Sequence, residues 1–121
     1  MIEVLNDFPD NVVAVACQGH VTRHDYEAVL IPAVENALQR HRKIRLFYHI
    51  KESFEGVDAS AVWEDFKIGI EHLLRWERIA VITDVRWIVH TIKAFSFVLP
   101  GDVRVFPGVQ AQSAYEWIVA D

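Results

Sequence analysis

The stretch VWEDFKIGIEHLLRWERIAVITDVRWI, residues 62–88, runs helix, strand and helix together without a break. At helical spacing Val62, Trp63, Phe66, Ile70, Leu73 and Leu74 share one face, and Glu64, Lys67, Glu71 and Arg75 share the other. That predicts a helix over 60–76. ERIAVITD, 77–84, is a short apolar run rich in β-branched residues and reads as a strand. VRWIVHTIKAFSFVL, 85–99, returns to the helical period. Helices and strands alternating in this way are the signature of a βαβ chain around a largely parallel sheet.

The flanks extend the alternation. Upstream, IEVL (2–5) and VVAVACQG (12–19) flank DFPDN, a connection short enough for an antiparallel pair. The second run is apolar at successive positions, as a strand covered on both faces would be. Thr22 with Asp25 three residues on resembles a capping box, the Asp standing in for the usual Glu, and Tyr26, Leu30, Ala33, Val34 and Ala37 follow at helical spacing. Pro32 lies inside that pattern and should kink the helix near 28–32. IRLFYHI (44–50) alternates like a strand, and KESFEGVD (51–58) reads as a loop. Downstream, VRVF (103–106) is a strand after the Pro100–Gly101 stop, and QAQSAYEWIVA (110–120) a closing helix. The expectation is one domain over 1–121: an α/β fold with a mixed, mostly parallel sheet of about five strands, an antiparallel first pair and about four helices.

Composition excludes several classes. A chain of 121 residues buries a core without disulfides, and the single cysteine, Cys17, can staple nothing. Set inside VVAVAC, it reads as a small buried hydrophobe. The opening MIEVLNDFPD has no basic segment ahead of an apolar one, so no secretory signal is expected. No run approaches the ~18 consecutive apolar residues of a membrane span. A cytoplasmic protein is expected. Seventeen acids against twelve bases, net -5, argue against nucleic acid as a partner. At 52% hydrophobic residues, disorder is excluded as well.

In a parallel sheet, chemistry collects where strands end. Those positions offer His20 and Thr22, then Lys51, Glu52 and Ser53, then Asp84, Arg86 and Trp87, then Pro107 and Gly108. Thr22 and Asp84 stand where helix caps belong, no G-x-S-x-G surrounds Ser53, and no glycine-rich phosphate loop follows any strand. His20 and His24 are four apart, but His20 precedes the cap and no third ligand completes a set. No catalytic residue, metal or cofactor is assigned, and the chain is read as a non-enzyme.

What stands out is apolar surface left over on the helix at 85–99. Val85, Ile88, Ile92, Phe95, Ser96 and Leu99 make the stripe that covers a sheet. Trp87, Ala94 and Val98 form a second strip, and the outermost arc holds Arg86, His90, Lys93 and Phe97. Three accounts absorb the surplus. One is packing against the preceding helix or a second copy of the chain. Another is a cleft between the two helices, lined by Trp63, Phe66, Ile70, Trp87 and Ile88 and holding an apolar ligand. The third is interfacial docking on a membrane, with Trp87 and Phe97 inserted and Arg86 and Lys93 on anionic headgroups; the surface expected to meet a membrane or a partner is Arg86, Trp87, His90, Lys93, Phe97 and Val98.

The order of elements, with YEAVLIPAVENAL, KIRLFYHI, VWEDFKIGIEHLLRWERIAVITDVRWI, VRVFP and AYEWI, resembles the bacterial SpoIIAA-like family, of STAS and CRAL-TRIO type fold. The resemblance runs over nearly the whole chain and is most specific from Trp63 through Trp87; Pro32 inside its helix fits it too. Anti-sigma-factor antagonists of this kind are switched by phosphorylation of a serine in an Asp-Ser-Ser-Gly-like loop. Ser53 in KESFEGVD lacks the preceding Asp and is followed by Phe54, so the phosphosite is not carried over. The CRAL-TRIO branch implies an apolar ligand held under mobile helices near membranes. Together these imply a non-catalytic module for an apolar or lipid-like ligand between the helices 60–76 and 85–99, which Gly69 would help to part, with reversible contact at the inner face of the membrane. The alternative is a partner-switching regulator phosphorylated at Ser53 or Ser60. Self-association is a further expectation.

Overall fold

The computed structural model describes residues 1–58, 75–95 and 101–121. The helix expected at 60–76 lies outside them, apart from its last two residues, and so do residues 96–99 of the following helix.

Strand β1 (Ile2–Val4) pairs antiparallel with β2 (Val12–Val21), Ile2 opposite Cys17. The connection turns at Asp7, whose φ of 68° is one that Asp tolerates better than most residues, and closes where Val12 N donates to Pro9 O. Six successive residues of β2 are buried. Val13, Val15 and Cys17 face one apolar cluster, while Val12 and Ala14 face another, so helices cover both sides as the continuous run implied.

Thr22 caps the helix that follows. Its hydroxyl accepts from Asp25 N, and its own N–H donates to Asp25 Oδ2 at 2.8 Å. The helical path then has three parts: α1 (Arg23–Asp25), a π turn (Tyr26–Leu30) and α2 (Ile31–Arg40). Proline brings no N–H and its ring crowds the carbonyl four residues back. The chain answers by widening: Ile31 N donates to Tyr26 O, five residues back, and Pro32 sits at the start of α2. The expected kink is therefore a π turn. Tyr26, Leu30, Val34 and Ala37 all stay buried against the sheet.

Strand β3 corrects the sequence reading. It spans Ile44–Val57, and the segment 51–58 expected as a loop is strand to Val57. Parallel pairing with β2 runs to Ile50 opposite Cys17, shifts register, and resumes with Phe54 opposite Gly19 and Val57 opposite Val21. The extra residues lie on β3, where four steps from Ile50 to Phe54 match two from Cys17 to Gly19; β3 bulges there, and Gly19 opposite takes φ +56°. Partly buried Phe54 and Val57 supply the apolar contact that holds the extension down.

Trp76, expected to end a helix, is the buried first residue of β4 (Trp76–Ile82). Helix α3 is Arg86–Phe95, β5 is Asp102–Phe106, and a 3-10 turn (Gly108–Gln110) leads into α4 (Ala111–Val119). The sheet order is β1-β2-β3-β4-β5, with every pair after the first parallel. Right-handed crossovers stepping one way across a sheet leave their helices on one face. Accordingly α2 and α3 share a side, where Tyr48, Phe54 and Ile79 join both of their clusters. Helix α4 covers the other side, with Ala114 and Ile118 on Phe47, Ala80 and Ile82. Side chains such as Ile82, Ile118 and Leu30 are almost wholly removed from water, worth about 2 kcal/mol each.

Candidate functional site

Helix α3 is amphipathic, and its buried side is ordinary. Ile88 is 9% exposed and packs on Ile50 and Val81, with Val85 and Ile92 partly buried beside it. The outer side carries Arg86, Trp87, His90, Thr91, Lys93 and Ala94, all exposed. Trp87 is 54% exposed, and the helix has no acidic residue. Arg86 makes no hydrogen bond or ion pair with the described residues. Thr91 donates its hydroxyl to Trp87 O at 2.7 Å, which keeps that polar group within the helix. The structure thus sets Arg86, Trp87, His90 and Lys93 on the exposed side and turns Ile88 into the core. Trp63, Phe66, Ile70, Phe97 and Val98 lie outside the described residues, as do Ser60 and Gly69.

At the carboxyl ends of the strands the candidate residues go to different partners. His20 Nε2 lies 2.5 Å from Asp58 Oδ1, tying the end of β2 to the end of β3. Ser53 is an exposed strand residue, and His20 hydrogen-bonds no hydroxyl among the described residues. Asp84 does cap a helical segment, but a distant one. Its carboxylate accepts from Gly108 N at 3.1 Å, and a Cβ on Gly108 would come within 2.7 Å of Oδ2. Buried Thr83 accepts from Val85 N at 3.0 Å. Nearby, burial pushes the His49 imidazole below its ordinary range; Lys51 adds to this and Asp84 opposes it. Between α3 and β5 lies an open cleft of about 280 Å³ lined by Thr83, Asp84, Val89, Lys93, Val105 and Pro107. Among the described residues no group of three or more His, Cys, Asp or Glu side chains is placed to hold a metal. No described helix is long and apolar enough to cross a membrane.

Sequence reasoning missed Asp58, His49 and the Tyr26–Tyr48 hydroxyl contact at 2.6 Å. Asp58 was hidden by the loop assignment. The signal that could have found it is the apolar Phe54 and Val57, which continue a strand pattern past Lys51.

A sheet opened by one antiparallel strand, with α2 and α3 on one face and a closing helix on the other, defines a small α/β domain of the STAS type. The SpoIIAA-like family model matches residues 12–119, and the chain belongs to that family. In structure it is similar to an uncharacterized protein of the DUF3478 family with a SpoIIAA-like fold from Shewanella loihica PV-4. The two share 24% identity and a TM-score of 0.73 over 98% of this chain and 92% of that one. No curated protein matches the sequence.

Proposed function

We propose that this domain is a non-catalytic binding module for an apolar or lipid-like ligand, with α3 resting reversibly on an anionic membrane surface. The observation that supports this is the outer side of α3: a half-exposed Trp87 framed by Arg86, His90 and Lys93, with no acid on the helix. An indole at the headgroup boundary with cations beside it is the pattern of an interfacial helix. The ligand would lie between α3 and the preceding segment, against Trp63, Phe66, Ile70 and Trp87, with Ile88 at its floor. Mass spectrometry of lipid extracted from the purified protein tests the ligand. Co-sedimentation with anionic and neutral vesicles, for wild type and a Trp87→Ala/Phe97→Ala variant, tests the surface. Anionic vesicles should retain the wild type and lose the variant. Absence of both a bound apolar molecule and any vesicle binding would sink the reading.

Family membership favours a second reading, a partner-switching regulator of the anti-sigma-factor antagonist type. Ser53 is exposed and open to a kinase. A partner retained by wild type and lost with Ser53→Asp would favour it over the first.

A further inference from the structure

The sheet has two edges, and they differ. Strand β1 is only three residues long, which blunts that side. Strand β5 is five residues long and ends the sheet order, so among the described residues no strand lies beyond it. Thr83 N donates to Phe106 O, which aims the polar backbone of Phe106 at β4. By alternation Asp102 and Arg104 also face β4, and the N–H and C=O of Val103 and Val105 point out from the free edge.

We propose that this edge pairs antiparallel with β5 of a second copy of the chain, about a two-fold axis at Val103. The choice of occupant rests on charge. An antiparallel pairing that satisfies outward-pointing groups can centre on Val103, Arg104 or Val105; centred on Val105, it sets Val103 opposite Pro107, which has no N–H to give. Centred on Arg104, it sets two arginines directly opposite each other, which is destabilising. Centred on Val103, it sets Asp102 of each copy opposite Arg104 of the other. Those are non-hydrogen-bonded positions, where facing side chains come closest. Both residues are about half exposed, and within one chain they already lie on the same face, 3.6 Å apart. Arg104 is held ready by stacking over the Trp117 ring at 4.6 Å. Edge strands usually carry charges that repel a second strand; here the two charges are self-complementary. So short a ladder gives a weak, concentration-dependent dimer.

Sedimentation equilibrium of the full chain, up to millimolar concentration, tests this. Wild type should show a monomer–dimer equilibrium. Val103→Pro removes an N–H that β4 does not use, so it should keep the fold by circular dichroism and abolish the dimer. Asp102→Arg and Arg104→Asp should each weaken dimerisation roughly 30-fold, because both cross-strand pairs turn repulsive. Mixed one to one, these two variants should re-associate, since the heterodimer again faces Arg with Asp at both positions. A wild type that stays monomeric overturns the proposal, as does a folded Val103→Pro that dimerises like wild type. Should Val103→Pro fail to fold, the mixture decides, and failure to re-associate overturns the proposal.

Discussion

Arg45 and Arg78 at the start of β3 and β4, and Arg86 and Lys93 on α3, look alike in the sequence, yet the fold treats them in opposite ways. Arg45 is nearly buried; it donates to Ile118 O at 2.9 Å and to Ala120 O, and pairs with Glu77 at 2.5 Å. Arg78 donates to Trp117 O at 2.9 Å and to Ala120 O at 2.7 Å. Arg75 does the same for α2, reaching Leu38, His41 and Arg42 carbonyls. All three satisfy helix carboxyl ends that would otherwise lack partners. At this end of the sheet, cations are part of the frame. On α3 the same chemistry is turned outward beside Trp87. A basic residue is therefore informative about function here only once its acceptors are known.

Among the charged residues, the largest expected effect breaks the framed end. Arg45→Ala strands Ile118 O and Glu77 together and leaves Ala120 O to Arg78 alone, and should cost about 2–3 kcal/mol in urea denaturation. A cost near zero would place the amino-end arginines in the same class as Arg86. Next is Gly108→Ala. The added Cβ would sit 2.7 Å from Asp84 Oδ2, so the carboxylate must leave the N–H it caps. A loss of about 1 kcal/mol is expected, and adding Asp84→Ala should cost little more because both changes remove one contact.

A smaller effect concerns His49, which lies at the carboxyl ends, near Asp84. Burial, then Lys51, holds its pKa down against Asp84, so the native state binds its proton more weakly than the unfolded chain. The stabilisation is whole above the ordinary histidine value of about 6.5 and declines as pH falls below it, until the folded group protonates too. His49→Gln should flatten this decline in thermal melts. Asp25 acts in a separate, more acidic window. Burial would raise its pKa, but hydrogen bonds from the Thr22 backbone and hydroxyl, and the nearby amino terminus, lower it overall. Its contribution is present above the ordinary aspartate value of about 3.9 and lost as pH falls through the lowered one.

Most of the fold was legible because burial leaves a periodic trace: VVAVAC for a doubly covered strand, Ile88 and Ile92 for a sheet-covering face, Thr22 and Asp25 for a cap. What escaped depends on long-range pairing. The bulges in β3 after Ile50 and after Phe54, visible only in its pairing with β2, carry it on to Val57. Likewise Asp84 fits a local cap equally well, and only the approach of Gly108 assigns it to the 3-10 turn that leads into the closing helix. The exposed arc of α3 was readable in part. Arg86, Trp87, His90 and Lys93 lie where helical spacing put them, whereas Phe97 and Val98 lie beyond the described residues.

The smallest expected effect sharpens the other side of the comparison. Trp87→Ala and Arg86→Ala should each change stability by no more than about 0.5 kcal/mol, since both side chains are exposed and Arg86 holds no carbonyl of the described chain. Trp76→Ala supplies the contrast. That indole is 5% exposed within the core cluster, and truncating it should cost about 3–5 kcal/mol even though its Nε1 has no hydrogen-bond partner among the described residues. Burial, not the indole N–H, gives Trp76 its worth. An exposed tryptophan whose loss leaves folding untouched contributes nothing to the monomer that would justify its aggregation hazard. A neutral Trp87→Ala melt combined with loss of vesicle binding would assign Trp87 to contact with something outside the chain. A destabilisation close to that of Trp76→Ala would assign it to packing within the chain instead, and remove the main support for membrane docking.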